Sequence, residues 1–148
     1  MKIYEVGYTT GVFDMFHVGH LNILRRSKER CKRLIVGVST DELVMTYKHK
    51  IPVVHLLDRM EIVAAIRYVD EVVVQDNMDK FKAWKRLRFN VIFHGDDWKG
   101  SELYNEMERK LKAVHVDTVF LPHTEGISTT ILTELIVRNN RPNNSASL

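Results

Sequence analysis

Two histidines, His17 and His20, are the most chemically suggestive residues of the chain. They lie in the segment GVFDMFHVGH, where an apolar run gives way to a helical pattern. One helical turn separates the rings, so both can face the same ligand. A helix start favours anions, and Gly19 lets a ligand approach the backbone closely. Because imidazoles can donate hydrogen bonds to phosphate oxygens, the segment predicts a site for a nucleoside triphosphate attacked at its α-phosphate.

Two other interpretations of these histidines remain open. Polar residues at a helix start often serve only as surface or capping groups. A metal site could instead combine His17 and His20 with His94 or Asp96, although no CxxC pair or HExxH motif supports it.

The segment GISTT opens the last predicted helix. Ser128, Thr129 and Thr130 place hydroxyl groups beside free backbone N–H groups, which indicates a second phosphate-binding turn. An ordinary helix cap would have the same residues.

The segment HGDDWKG follows the fourth predicted strand. Asp96 and Asp97 could hold Mg²⁺ through water or accept hydrogen bonds from a base or sugar, and Trp98 could stack on a base. An acidic turn with a packed tryptophan is the alternative.

Four basic residues could neutralise a triphosphate and a second phosphorylated substrate. Lys48 and Lys50 lie in a predicted loop, and Arg59 and Arg67 lie on or just after the next predicted helix. Arg67 also fits a structural ion-pair corner with Asp70.

Strand and helix patterns alternate along the chain. Strands are predicted at 3–8, 34–38, 71–74, 91–94 and 118–121, helices at 19–33, 58–66, 78–87, 101–111 and 128–137, a helical turn at 41–45 and a loop at 46–57. Asp58 is the predicted cap of the helix that follows this loop. The pattern predicts an α/β, Rossmann-like single domain over 1–138, with a five-stranded parallel sheet, helices on both faces and a flexible tail at 139–148. Ligands should bind at the carboxyl ends of the strands.

Composition narrows the class of protein. The chain has 148 residues with 45% hydrophobic and 28% charged residues, which favours a globular protein over a disordered one. A formal charge of +3 without a polybasic block does not favour nucleic acid. The single cysteine, Cys31, excludes an internal disulfide and is interpreted as structural. No apolar run could span a bilayer, so we expect a cytoplasmic protein without membrane insertion.

These segments resemble a known family. GVFDMFHVGH is similar to the HxGH signature of the cytidylyltransferase branch of the nucleotidyltransferase superfamily, and HTEGISTT resembles its RTxGISTT signature. IRYVDEV and GDDWKG are similar to segments of the bacterial glycerol-3-phosphate cytidylyltransferases. The resemblance runs from about Val6 to Glu134.

The resemblance implies a reaction. CTP and glycerol 3-phosphate would give CDP-glycerol and pyrophosphate by direct attack on the α-phosphate, with Mg²⁺ held mainly by the triphosphate. It also implies a homodimer and a product that feeds a cell-wall or capsule polymer. Alternatives are another acceptor (phosphocholine, phosphoethanolamine or ribitol 5-phosphate), ATP as the nucleotide, or a nucleotide-binding module with little turnover.

The resemblance also implies roles for residues. The implied catalytic residues are His17, His20, Lys48, Arg59 and Ser128. The implied nucleotide contacts are Val12, Phe13, Asp14, His17, Gly19, His20, Lys50, Arg67, Asp97, Trp98, His123, Thr124, Gly126, Ile127, Ser128 and Thr129. The implied acceptor contacts are Lys48 with Lys80 or Lys82.

Two positions depart from the signatures. His123 stands where the second signature has arginine, so the permanent charge and planar fork of arginine are missing. Val12 stands where the glycerol-phosphate enzymes have threonine and the choline- and ethanolamine-phosphate enzymes have an aliphatic residue. The reaction type is therefore predicted more firmly than the acceptor.

Overall fold

The computed structural model describes residues 1–96 and 99–142 as an α/β domain around a five-stranded, all-parallel sheet. The strands are β1 (Tyr4–Gly11), β2 (Cys31–Ser39), β3 (Glu71–Gln75), β4 (Val91–Gly95) and β5 (Asp117–Leu121). The helices are α1 (Val18–Lys28), α2 (Asp41–Lys48), α3 (Leu56–Ala64), α4 (Lys80–Leu87), α5 (Glu102–Lys112) and α6 (Thr129–Asn139). The predicted fold class is confirmed.

Apolar side chains form a separate core on each face of the sheet. On one face, Leu24 of α1 and Val63 of α3 are fully buried against β2. On the other face, Phe81 and Trp84 of α4 and Leu111 of α5 pack against the sheet. Helices therefore cover both faces, as is usual for strands that are apolar on both sides. The Phe81 and Trp84 stripe of α4 belongs to this second core.

The spatial order of the strands is β3-β2-β1-β4-β5. After β1 the chain first builds outward through β2 and β3, and then crosses back to place β4 on the other side of β1. In such sheets a crevice opens at the carboxyl ends of the two strands where the order reverses. Those ends are Thr10–Gly11 of β1 and His94–Gly95 of β4.

Several predicted boundaries were wrong. The first helix ends at Lys28 and not at Arg33, because β2 begins at Cys31 to pair with Tyr4 of β1. The second helix continues to Lys48, so the predicted loop is shorter at both ends. The cap of α3 is His55 and not Asp58, and its side chain makes no capping hydrogen bond.

Cys31 is buried, and its thiol donates to the Ser27 carbonyl at 3.3 Å. Burial raises the pKa of this thiol to about 11, which fits a structural residue. No helix in the ranges described above is long and apolar enough to cross a membrane. The predicted tail extends beyond those ranges from residue 143 onward.

Candidate active site

A cavity of about 640 Å³ opens at the point where the strand order reverses. Its walls are the carboxyl ends of β1 and β4, the first turn of α1, the end of α2 and the start of α6. The sequence-predicted residues that line it are Val12, Phe13, Asp14, His17, Gly19, His20, Lys48, Lys50, His123, Thr124, Ile127, Ser128 and Thr129. The two signature segments therefore meet at one cavity.

Backbone hydrogen bonds fix both histidine rings at the start of α1. His17 is the N-cap residue, and its Nδ1 accepts the Gly19 N–H at 3.0 Å. The Nδ1 of His20 accepts the His17 N–H at 3.2 Å. A neutral imidazole whose Nδ1 accepts a hydrogen bond carries its proton on Nε2. Both Nε2 atoms are therefore hydrogen-bond donors.

The same two imidazoles are held in the neutral form. The pKa of His20 is lowered to about 3, first by burial and then by the positive charges of His17 and Lys48. Burial also lowers the pKa of His17. The rings stack with their centroids 3.8 Å apart, so two protonated rings would repel each other. At neutral pH the pair can donate hydrogen bonds without carrying charge.

Gly19 is required by the ring of His17. A Cβ atom at Gly19 would lie 2.8 Å from Cε1 and 2.9 Å from Nδ1 of His17. The glycine therefore allows the cap to form. Gly19 also lines the main cavity, and the close approach of a ligand to its backbone stays a prediction.

Asp14 ties the first signature to the loop that precedes α3. Its two carboxylate oxygens accept the N–H groups of Val53 and Val54, each at 2.8 Å. The Asp14 carbonyl accepts the Thr129 hydroxyl at 2.9 Å. These hydrogen bonds fix the positions of both signature segments relative to the loop that precedes α3.

The second signature is also fastened to α1. The Asn22 amide donates to the Thr124 hydroxyl at 2.8 Å. Ser128 is the N-cap of α6, and its hydroxyl accepts the Ile131 N–H at 3.1 Å. Both hydroxyls accept in these bonds and keep their own O–H groups to donate, so an anion here could meet them as well as the free N–H groups of the first turn of α6.

Lys48 and Lys50 both reach the cavity from the end of α2. His49, between them, adopts a left-handed conformation (φ 55°) that ends the helix at Lys48. Both lysines are exposed and line the cavity. They bring positive charge to the side of the cavity where the neutral histidines lie.

Arg59, predicted as a catalytic residue, lies beneath the cavity and does not line it. Its side chain is fully buried and donates to the carbonyls of Val12, Ser39 and Val54 at 2.7–2.8 Å. It also pairs with the Asp41 carboxylate at 2.5 Å. Its guanidinium is therefore engaged by four groups of the protein, and its catalytic role stays a prediction.

Four other predicted contacts lie away from the main cavity in the described ranges. Arg67 is exposed and packs on its neighbour Tyr68, to whose hydroxyl it donates at 2.9 Å. Gly126 has a left-handed backbone (φ 79°), which explains the glycine. Lys80 is buried between two smaller cavities, and Lys82 lines one of them.

His123 lines the main cavity beside the acidic turn. Its Nδ1 lies 3.0 Å from Oδ1 of Asp96. This contact holds the pKa of the Asp96 carboxyl below its usual range. Two predicted nucleotide contacts, Asp97 and Trp98, lie outside the described residues.

Sequence reasoning missed part of the cavity lining. Thr9 and Thr10 of β1 line it from below, and Tyr104 of α5 closes one side. His94 was considered only as a metal ligand, yet it forms part of the wall. The signal for Thr10 and His94 was their place at the carboxyl ends of adjacent strands.

The described ranges contain no group of three or more His, Cys, Asp or Glu residues that could hold a metal ion. The alternative metal site at His17 and His20 is therefore not assembled. Both of their Nδ1 atoms already accept backbone hydrogen bonds.

Comparisons with known proteins agree with this geometry. Residues 8–135 match the family described as cytidylyltransferase-like. The chain is 35% identical to glycerol-3-phosphate cytidylyltransferase of Bacillus subtilis over 136 residues, covering 86% of this chain and 94% of that protein. It is 38% identical to FAD synthase of Pyrococcus horikoshii over 116 residues, covering 76% and 77%. A solved structure, the lipopolysaccharide core biosynthesis protein from Thermoplasma volcanium, superposes with a TM-score of 0.69 at 25% identity, covering 82% and 97%.

The chain therefore belongs to the cytidylyltransferase-like family of nucleotidyltransferases. Relatives with different printed activities match it at similar identity, so membership defines the reaction class but not the substrates.

Proposed function

We propose that the chain transfers CMP from CTP to a small phosphorylated alcohol, with glycerol 3-phosphate as the first candidate, and releases pyrophosphate. The observation that carries this proposal is the pair of Nε2 donors at His17 and His20, fixed in a cavity that the second signature also lines. The similarity to glycerol-3-phosphate cytidylyltransferase over most of both chains supports the choice of substrates.

In this reaction a phosphate oxygen of the acceptor attacks the α-phosphorus of CTP. A new P–O bond forms, the bond from the α-phosphorus to the bridging oxygen breaks, and pyrophosphate leaves with the electron pair. His17 and His20 donate hydrogen bonds to oxygens whose charge grows in the transition state. Lys48 and Lys50 neutralise the phosphates, and the start of α6 binds the nucleotide through its N–H groups.

Mg²⁺ fits this site as a companion of the triphosphate. Asp14 is the sole carboxylate among the described residues that line the cavity, and both of its oxygens already accept backbone N–H groups. Few protein oxygens would thus remain for the ion, which usually keeps phosphate and water ligands. When bound, Mg²⁺ would neutralise charge on the phosphates.

A homodimer in the cytoplasm remains part of the proposal. Helix α6 exposes Leu135, Ile136 and Val137 in this single chain, which supports a contact with a second copy. Arg67 is exposed outside the cavity of its own chain, so its proposed nucleotide contact requires a movement or a partner copy.

Adenylyl transfer is the second candidate function. The similarity to FAD synthase favours it, because FAD contains an adenylyl group. His123 favours it as well, since it replaces the signature arginine, a residue that the resemblance assigns to CTP binding.

Pyrophosphate release with Mg²⁺ tests both candidates. CTP and ATP are each combined with glycerol 3-phosphate, phosphocholine, phosphoethanolamine, ribitol 5-phosphate and FMN. We expect turnover with CTP and one of the four phosphorylated alcohols, at a rate in the usual range of about 1–1000 per second. Turnover with ATP and FMN alone would replace the proposal by the second candidate.

The double variant His17→Ala/His20→Ala is the control for this assay. Because the mechanism depends on their Nε2 donors, the double variant should release almost no pyrophosphate. Release at the wild-type rate would contradict the mechanism for either nucleotide.

A further inference from the structure

His94 is a buried residue in the wall of the main cavity. It is the residue before the last of β4, next to the point where the strand order reverses. Only 5% of its surface is exposed, and what remains open lines the main cavity. The ring packs edge-on against Tyr104, with centroids 4.7 Å apart and planes at 85°. Tyr104 in turn lines both the main cavity and a second cavity of about 260 Å³.

The Nε2 atom of His94 has no hydrogen-bond partner within the ranges 1–96 and 99–142. Buried side-chain nitrogens are nearly always hydrogen-bonded, because losing water without a replacement is unfavourable. An unpartnered imidazole in a residue that lines a cavity is therefore a candidate contact for a ligand.

A second buried polar group lines the second cavity together with Tyr104. Lys80, at the start of α4, is 2% exposed and lines the second cavity. It forms no ion pair with any carboxylate of the described ranges, and burial alone lowers the pKa of its ammonium to about 7. Buried charges are normally paired, so this ammonium also favours an incoming anion.

The imidazole of His94 and the ammonium of Lys80 interact electrostatically. The pKa of His94 is lowered to about 3, first by burial and then by the positive charge of Lys80. At neutral pH His94 therefore offers a neutral imidazole in a region of positive potential. A phosphate dianion suits such a region, because its oxygens accept hydrogen bonds and its charge offsets that of Lys80.

We infer that His94 is a specificity-determining residue whose imidazole binds the phosphate of the acceptor, with the buried Lys80 as the nearby countercharge. This inference rests on the proposed function, since it divides the cavity into two ends. We call the part of the cavity at His17, His20 and the start of α6 the histidine end, and this end binds the nucleotide. We call the part at His94 and Tyr104, near Lys80, the His94 end, and this end binds the acceptor.

Two substitutions of His94 test this assignment. His94→Leu removes the nitrogen, whereas His94→Gln keeps an amide N–H at similar reach. We expect His94→Leu to raise the KM for the best acceptor of the panel at least about tenfold, the loss expected for one hydrogen bond to a charged group. His94→Gln should recover a large part of this loss. Both should bind CTP, titrated without acceptor, within twofold of wild type.

Thr118→Val provides a matched control. The Thr118 hydroxyl is the other buried polar side-chain atom without a partner in the described ranges, and it lies on β5 away from the cavity lining. Replacing either unpartnered atom by an apolar group should leave the thermal midpoint unchanged or raise it. Only the His94 substitution should change the acceptor KM.

Three outcomes would overturn the inference. The first is an acceptor KM in His94→Leu within twofold of wild type. The second is an equal loss of CTP affinity, which would place His94 at the nucleotide. The third is a loss of both through unfolding in His94→Leu and His94→Gln alike, which would make His94 structural. If the wild-type protein turns over no acceptor and calorimetry detects no acceptor binding, the proposed function fails and the inference fails with it.

Discussion

The two ends of the main cavity differ in how their polar atoms are satisfied. At the histidine end, the Nδ1 atoms of His17 and His20 accept backbone N–H groups, which leaves both Nε2 donors fixed in place. At the His94 end, Nε2 of His94 is buried without a hydrogen-bond partner, and the buried side chain of Lys80 forms no ion pair in the described ranges. The first end is organised before any ligand binds, whereas the second is completed by its ligand. This difference suits an enzyme that must position a reacting nucleotide and select among acceptors.

The largest expected effect is on the free energy of unfolding of the protein, and it comes from Lys80 at the His94 end. Burial lowers the pKa of Lys80 from its ordinary value near 10.5 to about 7. Between these values the unfolded chain binds more protons than the folded one, so the free energy of unfolding rises with pH. Below pH 7 both states are protonated and the full penalty of burial is present. At about 1.36 kcal/mol per pKa unit, this penalty has an upper limit of about 5 kcal/mol.

Lys80→Met should therefore stabilise the protein most at and below pH 7, with a gain that fades toward pH 10.5. Urea unfolding at pH 6, 7, 8 and 9 measures this difference. Lys82→Met, two residues along the same helix and exposed, is the control and should show no such trend. A gain in Lys80→Met that does not vary with pH would mean that the ammonium is paired in solution.

The next effect separates the two functions of His17. Asparagine is a good N-cap, so His17→Asn should preserve the cap of α1 and lose only the Nε2 donor. We expect kcat to fall by about 10²–10³, which is typical when one donor to a developing charge is removed. The thermal midpoint should stay close to wild type, whereas His17→Ala should lower both, with about 1 kcal/mol lost from the cap.

Steady-state kinetics and thermal unfolding of the two variants test this expectation. If His17→Asn keeps most of the wild-type kcat, His17 is a cap and the hydrogen bonds to phosphate come from elsewhere. That result would remove the contrast between the two ends, because neither would then carry a fixed donor.

The histidine end could be predicted from sequence because its contacts are local. Both cap hydrogen bonds span three residues or fewer, so His17, Gly19 and His20 alone indicate the geometry. The strands were likewise predictable from runs such as Val91–Gly95, which are apolar because both faces are covered. The role of Gly19 in the cap was nevertheless not predicted, because it depends on the position of the His17 ring, which lies where a Cβ at Gly19 would be.

Sequence reasoning could not predict what depends on long-range contacts. The sequence around Arg59 suggests a surface cation for phosphate, and only the fold shows that Val12, Ser39 and Asp41 surround it. The relation of Lys80 to His94 is invisible for the same reason, because one lies on α4 and the other on β4. Sheet order brings such residues together, and no local spacing encodes it.

The smallest expected effect is on kcat, and it tests how precisely the His17 ring must be positioned at the histidine end. Gly19 lies in the first turn of α1, where alanine stabilises a helix relative to glycine by less than the about 1 kcal/mol of interior positions. In Gly19→Ala, however, the new Cβ would meet Cε1 of His17 at 2.8 Å, so the ring must move. A displacement of about 1 Å in a catalytic group can lower the rate by up to about 10²-fold. We expect kcat to fall about 10–100-fold with little change in thermal midpoint, because the two effects on stability oppose each other.

Gly126→Ala is the control, since a Cβ there meets no atom within 4 Å and the strain of its φ of 79° should lower stability rather than displace His17. A Gly19→Ala variant with wild-type kcat would show that the His17 ring tolerates movement, and the histidine end would then be no more fixed than the His94 end.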